Sequence, residues 1–318
     1  MPTPLSSLSS RAIIGEYFRR LEQGATGWAS QLSNQFSSDQ AGEDYKWLGM
    51  SPAMREWVGE RQAKGLRESS YTIRNKPFES TLEISIDDLR RDKTGQIMVR
   101  IAEQVDRANA HWAKLLSSLI IAGESAACYD GQFFFDTDHA EGDSGTQSND
   151  LSVDISALPV PATAHGSTTA PAPEELMHAI LEGTQAILGF KDDQGEPMNE
   201  NARSFLVMVP TTYWKSAIAA VGTPAMANGS TNIITSADGF GFQVQVNPRL
   251  TWTEKLAIFR TDGNIKPFIR QEEVPVEVSA IAEGSELEFK QRVHQYGLYA
   301  SGNVGFGYWQ QGCLITLA

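Results

Sequence analysis

The sequence contains no run of eighteen apolar residues, only two cysteines, and none of the short motifs that mark the common catalytic folds. Without such a run, no helix is apolar over enough length to cross a bilayer. Cys128 and Cys313 lack CxxC spacing, which argues against both a structural zinc site and a disulfide framework. They are expected to be small buried hydrophobes, and a reducing cytoplasm would disfavour a bridge between them. The opening stretch, MPTPLSSLSSRAIIGEYF, has neither the basic start nor the apolar middle of a secretion signal. The chain is therefore expected to be made and used in a cytoplasm, or in something assembled there. A GxxxxGKS/T phosphate loop, a GxSxG elbow, an HExxH helix and a GxGxxG between strand and helix are all missing. The five histidines, His111, His139, His165, His178 and His294, are read as having no second ligand at helical spacing. No catalytic residue, cofactor or metal is expected.

What is present is an acidic, otherwise ordinary composition. The 318 residues suffice for two average domains or one elaborated fold, with 41% hydrophobic and 20% charged residues. The net charge of −13 is uneven: residues 1–114 carry 16 Lys plus Arg against 15 Asp plus Glu, and residues 115–318 carry 10 against 24. An acidic body repels phosphate and gains little from counterion release, so sequence-specific nucleic-acid binding is not expected. The near-neutral first third spaces Arg55, Arg61, Lys64, Arg67, Arg74 and Lys76 along its length. Singly, each reads as a solvated charge; together they are available to acidic surfaces elsewhere.

Periodicity divides the chain. Residues 12–24 predict a short amphipathic helix with Ile13, Tyr17, Phe18 and Leu21 on one side. The polar stretch after it, with Trp28, Leu32 and Phe36 dotted through it, has too few apolar residues for a core of its own and reads as an arm that docks on another surface. SSYTIRN reads as a strand and, after Lys76-Pro77, ESTLEISI alternates with period two through Leu82, Ile84 and Ile86, which together suggest a projecting β-hairpin. Ser85 with Asp88 resembles a capping box before IDDLRRD. From Gln96 to Ala122 apolar residues recur every three or four positions and Gly123 is placed as the stop, predicting one unbroken helix on the order of 40 Å long. Pro173 opens a second helix that stops at Gly189, SFLVMVP is a buried strand, and TTYWKSAIAAVG is a helix capped by Thr211 or Thr212. Later segments, from FGFQVQV to GCLITLA, read as strands, giving an α+β chain without repeats.

One stretch, YDGQFFFDTDH at 129–139, invites a chemical reading. Asp136, Asp138 and His139 have the donor types of a divalent metal site. The competing reading is a turn in which the aspartates accept backbone amides while Phe133, Phe134 and Phe135 bury their rings beneath. Closed metal sites need three or four ligands, and no other segment supplies the missing ones, so the turn is preferred.

The order of hairpin strand, ISIDDLRRD, long helix ending in glycine, loop, then helix–strand–helix resembles the major capsid proteins of tailed phages with the Hong Kong 97-type fold. Four separated motifs narrow this: YKWLGMSPAMREWVGER, YTIRNKPFESTLEI, YDGQFFFDTDH with SND after it, and DDQGEPMN followed by SFLVMVP. They are similar to the major head subunit of Mu-like phages and prophages, over roughly residues 45–318. The resemblance implies an N-terminal arm over 1–45 and an E-loop with its flanks over 46–85. It implies a peripheral domain over 86–172 with a spine helix over 96–122, an axial domain over 173–270, and strands over 271–318 returning to the peripheral domain before a C-terminal strand. It implies a shell subunit that self-assembles into an icosahedral head around double-stranded DNA. The partners implied are other copies in hexamers and pentamers, scaffold, portal and cement proteins, and DNA held non-specifically, with no membrane. Arg55, Trp57, Arg61, Arg67, Arg74 and Lys76 are the expected inter-subunit contacts. Some relatives weld subunits through a lysine–asparagine bond beside a glutamate; Lys64 and Lys76 lie in the right region, but no motif supplies the other two groups, so no crosslink is expected. The competing expectations are an encapsulin-like nanocompartment shell and, in another class, a metal-dependent hydrolase using FDTDH.

Overall fold

A computed structural model describes residues 10–22, 27–45, 71–92, 95–158, 165–225, 229, 231–236 and 239–318. Most of the expected E-loop, with Arg55, Trp57, Arg61, Lys64 and Arg67, lies outside the described residues. In chain order the first elements are α1 (Ser10–Glu22), α2 (Trp28–Gln31), β1 (Ser33–Ser37), β2 (Gly42–Tyr45), β3 (Tyr71–Arg74) and β4 (Lys76–Ser85). Then come α3 (Ile86–Arg91), α4 (Gln96–Asn109), α5 (His111–Ala122), β5 (Asp150–Val153), α6 (Pro173–Gly189) and β6 (Ser204–Val209). The chain ends with α7 (Trp214–Gly222), α8 (Ile233–Ser236), β7 (Gly241–Val246), β8 (Lys255–Arg260), β9 (Phe268–Ile281), α9 (Glu286–Gln291), β10 (Val293–Phe306) and β11 (Gly312–Leu317).

Two sheets organise these elements. One has the order β1-β9-β10-β4, with β1 parallel to β9 and the other pairs antiparallel. The other has the order β5-β11-β8-β6-β7, parallel at both outer pairs and antiparallel between. β6 is apolar from Phe205 to Val209 because both of its faces are covered there, and those five residues are all buried. Pro173 starts α6 as expected, and Leu176, Ile180 and Ile187 form its buried stripe. β2 and β3 form a separate two-stranded ladder.

Ser85 caps α3, its hydroxyl accepting from the Asp87 amide at 3.2 Å. Gly123 follows α5, but in right-handed conformation (φ −59°), so positive φ is not why glycine stands there. A Cβ at this position would lie 2.7 Å from the Phe135 ring. Thr211 and Thr212 cap nothing with their side chains; a 3-10 turn over Thr211–Tyr213 leads into α7 instead.

Three expectations need correction. The rod over 96–122 is divided at Ala110, which sits at φ −79° and ψ −1° between α4 and α5. No proline or glycine causes the break. Ile97, Ile101 and Val105 pack with α1, α3 and β10 in one core, whereas Leu116 and Ile120 pack in the other, around the five-stranded sheet. At 3.6 residues per turn, positions 97 and 120 point roughly 140° apart around a straight helix, so one rod serving two cores changes face between them.

The described arm packs on its own chain. Ile13 and Tyr17 of α1 are fully buried in the core of α4, and β1 adds a parallel strand to β9. An amphipathic face needs a cover, and here the body of the same chain provides it. Finally, β3 and β4 are not hairpin mates: β3 pairs with β2, and β4 pairs with β10 from Lys76 opposite Gly302 to Ser85 opposite Val293. β4 is an outer strand, where Pro77 costs no ladder bond. β5 and the C-terminal β11 both join the sheet of β6 and β8.

Candidate functional site

Beyond α5 the chain turns through the stretch that carries the candidate donors. Gly131 adopts φ +94°, letting the chain fold back so that the Cys128 amide donates to the Gln132 carbonyl at 2.8 Å. Phe134 and Phe135 then go inward while Phe133 stays 44% exposed, so two rings rather than three are buried. Phe134 stacks on Phe306 of β10 at 4.8 Å and lies 5.2 Å from Phe268 of β9, whereas Phe135 reaches Phe259 of β8 at 6.4 Å. Adjacent residues thereby join the two sheets.

The candidate ligand set Asp136, Asp138 and His139 is not brought together. The Asp136 carboxylate accepts from the Phe133 amide at 3.2 Å and the Thr137 amide at 2.7 Å. Asp138 accepts from the Gln132 side chain at 2.8 Å. Asp136 is thus the backbone-amide acceptor of the preferred reading, whereas Asp138 accepts a side-chain amide instead. His139 faces elsewhere: its Nδ1 lies 2.7 Å from Asp130 Oδ2, and its ring stacks on Trp309 at 4.0 Å and 8°. Among the described residues, Cys128, Asp130 and His139 bring three donor atoms within 4.8 Å of one another. Asp130 was missed because nine residues separate it from His139, a spacing that matches neither helix nor strand. His178 also departs from expectation, facing Glu182 one turn on at 3.8 Å.

The chemistry of this group is that of a buried hydrogen-bond chain. The Cys128 thiol donates to Asp130 at 2.9 Å, and the Gln132 amide donates to the same oxygen at 3.1 Å. Burial, with the Asp130 charge beside it, pushes the thiol far above its ordinary value, so it is neither nucleophile nor thiolate ligand as it stands. Burial pulls the Asp130 carboxyl upward as well, but hydrogen bonds from His139 and Cys128 outweigh it and hold the group below the usual carboxylate range. The sign follows: Asp130 stays ionised to lower pH folded than unfolded, so its contribution is complete above about pH 4 and lost as pH falls below that. Asp130→Asn should cost roughly 2 kcal/mol at pH 7 and flatten the fall of the urea midpoint below about pH 4. An unchanged acid limb in the variant would contradict this.

Of the expected contact residues, Arg74 and Lys76 are described, and both are exposed. They flank a pinned corner. The Asn75 amide donates to the Ala41 carbonyl at 2.9 Å, its side chain donates to Gln40 O at 2.7 Å, and its Oδ1 accepts from Gln271 at 2.7 Å. The corner therefore holds two cations outward on a fixed backbone. Arg55, Trp57, Arg61 and Arg67 lie outside the described residues.

The profile of the family described as Mu-like prophage major head subunit gpT matches residues 10–158 and 244–314. The chain is 34% identical over 141 residues to the Mu-like prophage FluMu major head subunit of Haemophilus influenzae, covering 44% of this chain and 46% of that one. It is 38% identical over 135 residues to the major capsid protein of Escherichia phage Mu, covering 41% and 44%. The chain thus spans less than half the length of either relative. Among solved structures, the procapsid of bacteriophage JBD30 superposes with a TM-score of 0.55 at 22% identity, over 98% of this chain and 76% of that chain.

Proposed function

The chain belongs to the Mu-like prophage major head subunit gpT family, with the α+β capsid fold, and from that membership we propose that it is a shell subunit whose copies close into the icosahedral head of a tailed phage or prophage. The observation that carries this is the family match over both blocks of the chain, 10–158 and 244–314. It also favours a phage head over the nanocompartment reading.

On this reading the four-stranded sheet with α4 belongs to the peripheral domain and the five-stranded sheet with α6 and α7 to the axial domain, with β5 and β11 bridging them. A shell subunit needs a rigid body and many modest contacts that sum in a closed lattice. The two-core body supplies the first. Arg55, Trp57, Arg61, Arg67, Arg74 and Lys76 are proposed among the second, meeting the acidic surface of a neighbour. Scaffold, portal and cement proteins are the other partners, assembly takes place in the host cytoplasm, and the packaged duplex is held non-specifically. With a net charge of −13, the wall gives DNA little counterion-release affinity, which suits a surface along which DNA moves.

Electron microscopy of the purified chain tests the proposal, with closed icosahedral shells as the expected result. A denaturing gel of those shells should show one band at single-chain mass, since no covalent weld is proposed. Monomers at every concentration would overturn the shell reading, and a ladder of multiples would overturn the uncrosslinked one.

A further inference from the structure

Residues 211–248 contain two charged residues, Lys215 and Asp238, in a chain that is 20% charged. This stretch holds α7, α8 and β7, and α7 packs against both of the others. α7 buries Ala217 and Ala220 beneath it and exposes Trp214 (51%) and Ile218 (48%), one helical turn apart on one face. The adjoining α8 exposes Ile233 (58%). β7, reading GFQVQV, is the outer strand of its sheet and carries neither charge nor proline, the usual devices by which an edge strand avoids pairing.

The helices that carry these side chains are pinned to the body. The buried Asn232 side chain donates to Ala220 O at 2.7 Å and Thr223 O at 2.8 Å, fixing the end of α7 to the start of α8. At the other end, Ser216 donates to Pro171 O at 2.6 Å. A preorganised apolar face loses little freedom when covered.

We infer that the α7–α8–β7 face is a contact face between copies of this chain, with Trp214 and Ile218 as its anchors. The inference rests on the shell reading and names one of its surfaces. The occupant follows from charge. Copies that each carry −13 repel one another, and a face whose described residues include no carboxylate lets two approach with less repulsion than the acidic surface around it. Charge depletion with an exposed tryptophan is also the composition of an interface centre. The exposed parts of the three side chains amount to on the order of 250 Å², well short of the roughly 800 Å² per partner of a stable pair. The face therefore suits a repeated contact in a ring or shell rather than an isolated dimer.

The test compares the wild-type chain with Trp214→Glu/Ile218→Glu by light scattering and sedimentation over a concentration series, with thermal melting as the folding control. The wild type should assemble, and the double variant should need about a hundredfold more protein to do so while melting at an unchanged temperature. If the glutamate pair melts early, Trp214→Ala/Ile218→Ala makes the same comparison, with about a tenfold rise expected. A double variant that assembles at the wild-type concentration overturns this contact and leaves the shell reading standing. A wild type that never assembles overturns both.

Discussion

Asn149→Leu is expected to lower the stability of the chain by about 4 kcal/mol, although it removes no aromatic ring and no charge. Asn149 is fully buried at the junction of the two sheets. Its Nδ2 donates to Phe134 O at 2.8 Å and lies 3.3 Å from Gly312 O and 3.4 Å from Trp309 O, while its Oδ1 accepts from the Asp136 amide at 2.9 Å. Leucine has nearly the same size but can satisfy none of these groups. Each buried backbone group left unpaired costs about 1–3 kcal/mol, and at least two are stranded. Urea unfolding monitored by tryptophan fluorescence measures the loss as a fall in midpoint at constant slope.

Asn149→Asp sharpens the test. It keeps an acceptor for the Asp136 amide but turns a carboxylate oxygen towards the Phe134, Trp309 and Gly312 carbonyls. Ionised, it should be no more stable than the leucine variant. Protonated, its hydroxyl can donate to Phe134 O. Such a carboxyl has a folded pKa raised above the unfolded value, so its stability is present at low pH and lost as pH rises. The aspartate variant should therefore recover against the leucine variant on acidification. Parallel pH curves for the two would show that the hydrogen bonds of Asn149 are not what holds the junction.

What could be read in advance depends on how local the controlling interaction is. Ser85 as the cap of α3, Pro173 at the start of α6 and the apolar run of β6 are set by residues within a few positions, and all three are found where the pattern puts them. The spacing of Ile97, Ile101 and Val105 and of Leu116 and Ile120 shows helix throughout, but not that the two groups face different cores. That difference needs the tertiary structure, and it accounts for the break at Ala110. The β4–β10 ladder joins residues more than 200 positions apart, beyond any local pattern, so β4 looked like half of a hairpin with β3. The candidate site divides the same way. His139 was visible as a donor, and the role of Asp136 followed from turn chemistry, whereas that of Asp138 did not. Asp130 became its partner only because Gly131 reverses the chain between them.

Tyr17→Ala should release α1 from the body while leaving both sheets folded. Helical spacing showed that the face of Ile13 and Tyr17 is covered, and the structure places the cover within the same chain. The Tyr17 ring is fully buried, and its hydroxyl donates to Gln104 Oε1 of α4 at 2.5 Å. Burial pushes its phenol up to about 12, so it remains a neutral donor at working pH. Truncating a buried ring of this size costs about 3–5 kcal/mol. A 13-residue helix is marginal in water by itself, so its docking supplies most of its order. Ile13 is buried beside it, the Ser10 amide donates to Glu283 at 3.0 Å, and the Ser10 hydroxyl meets the Tyr296 hydroxyl at 2.7 Å. Loss of the Tyr17 anchor should therefore exceed what holds the helix. Hydrogen exchange on the unassembled chain should show amides 10–22 protected in the wild type and exchanging freely in Tyr17→Ala, with β9 and β10 protected in both. Tyr17→Phe, which keeps the ring and strands only the Gln104 oxygen, should lose about 1 kcal/mol and retain most of the protection. If the wild-type amides exchange freely in the single chain and become protected only in assembled particles, the cover of α1 is a neighbouring subunit, and the intramolecular docking is wrong.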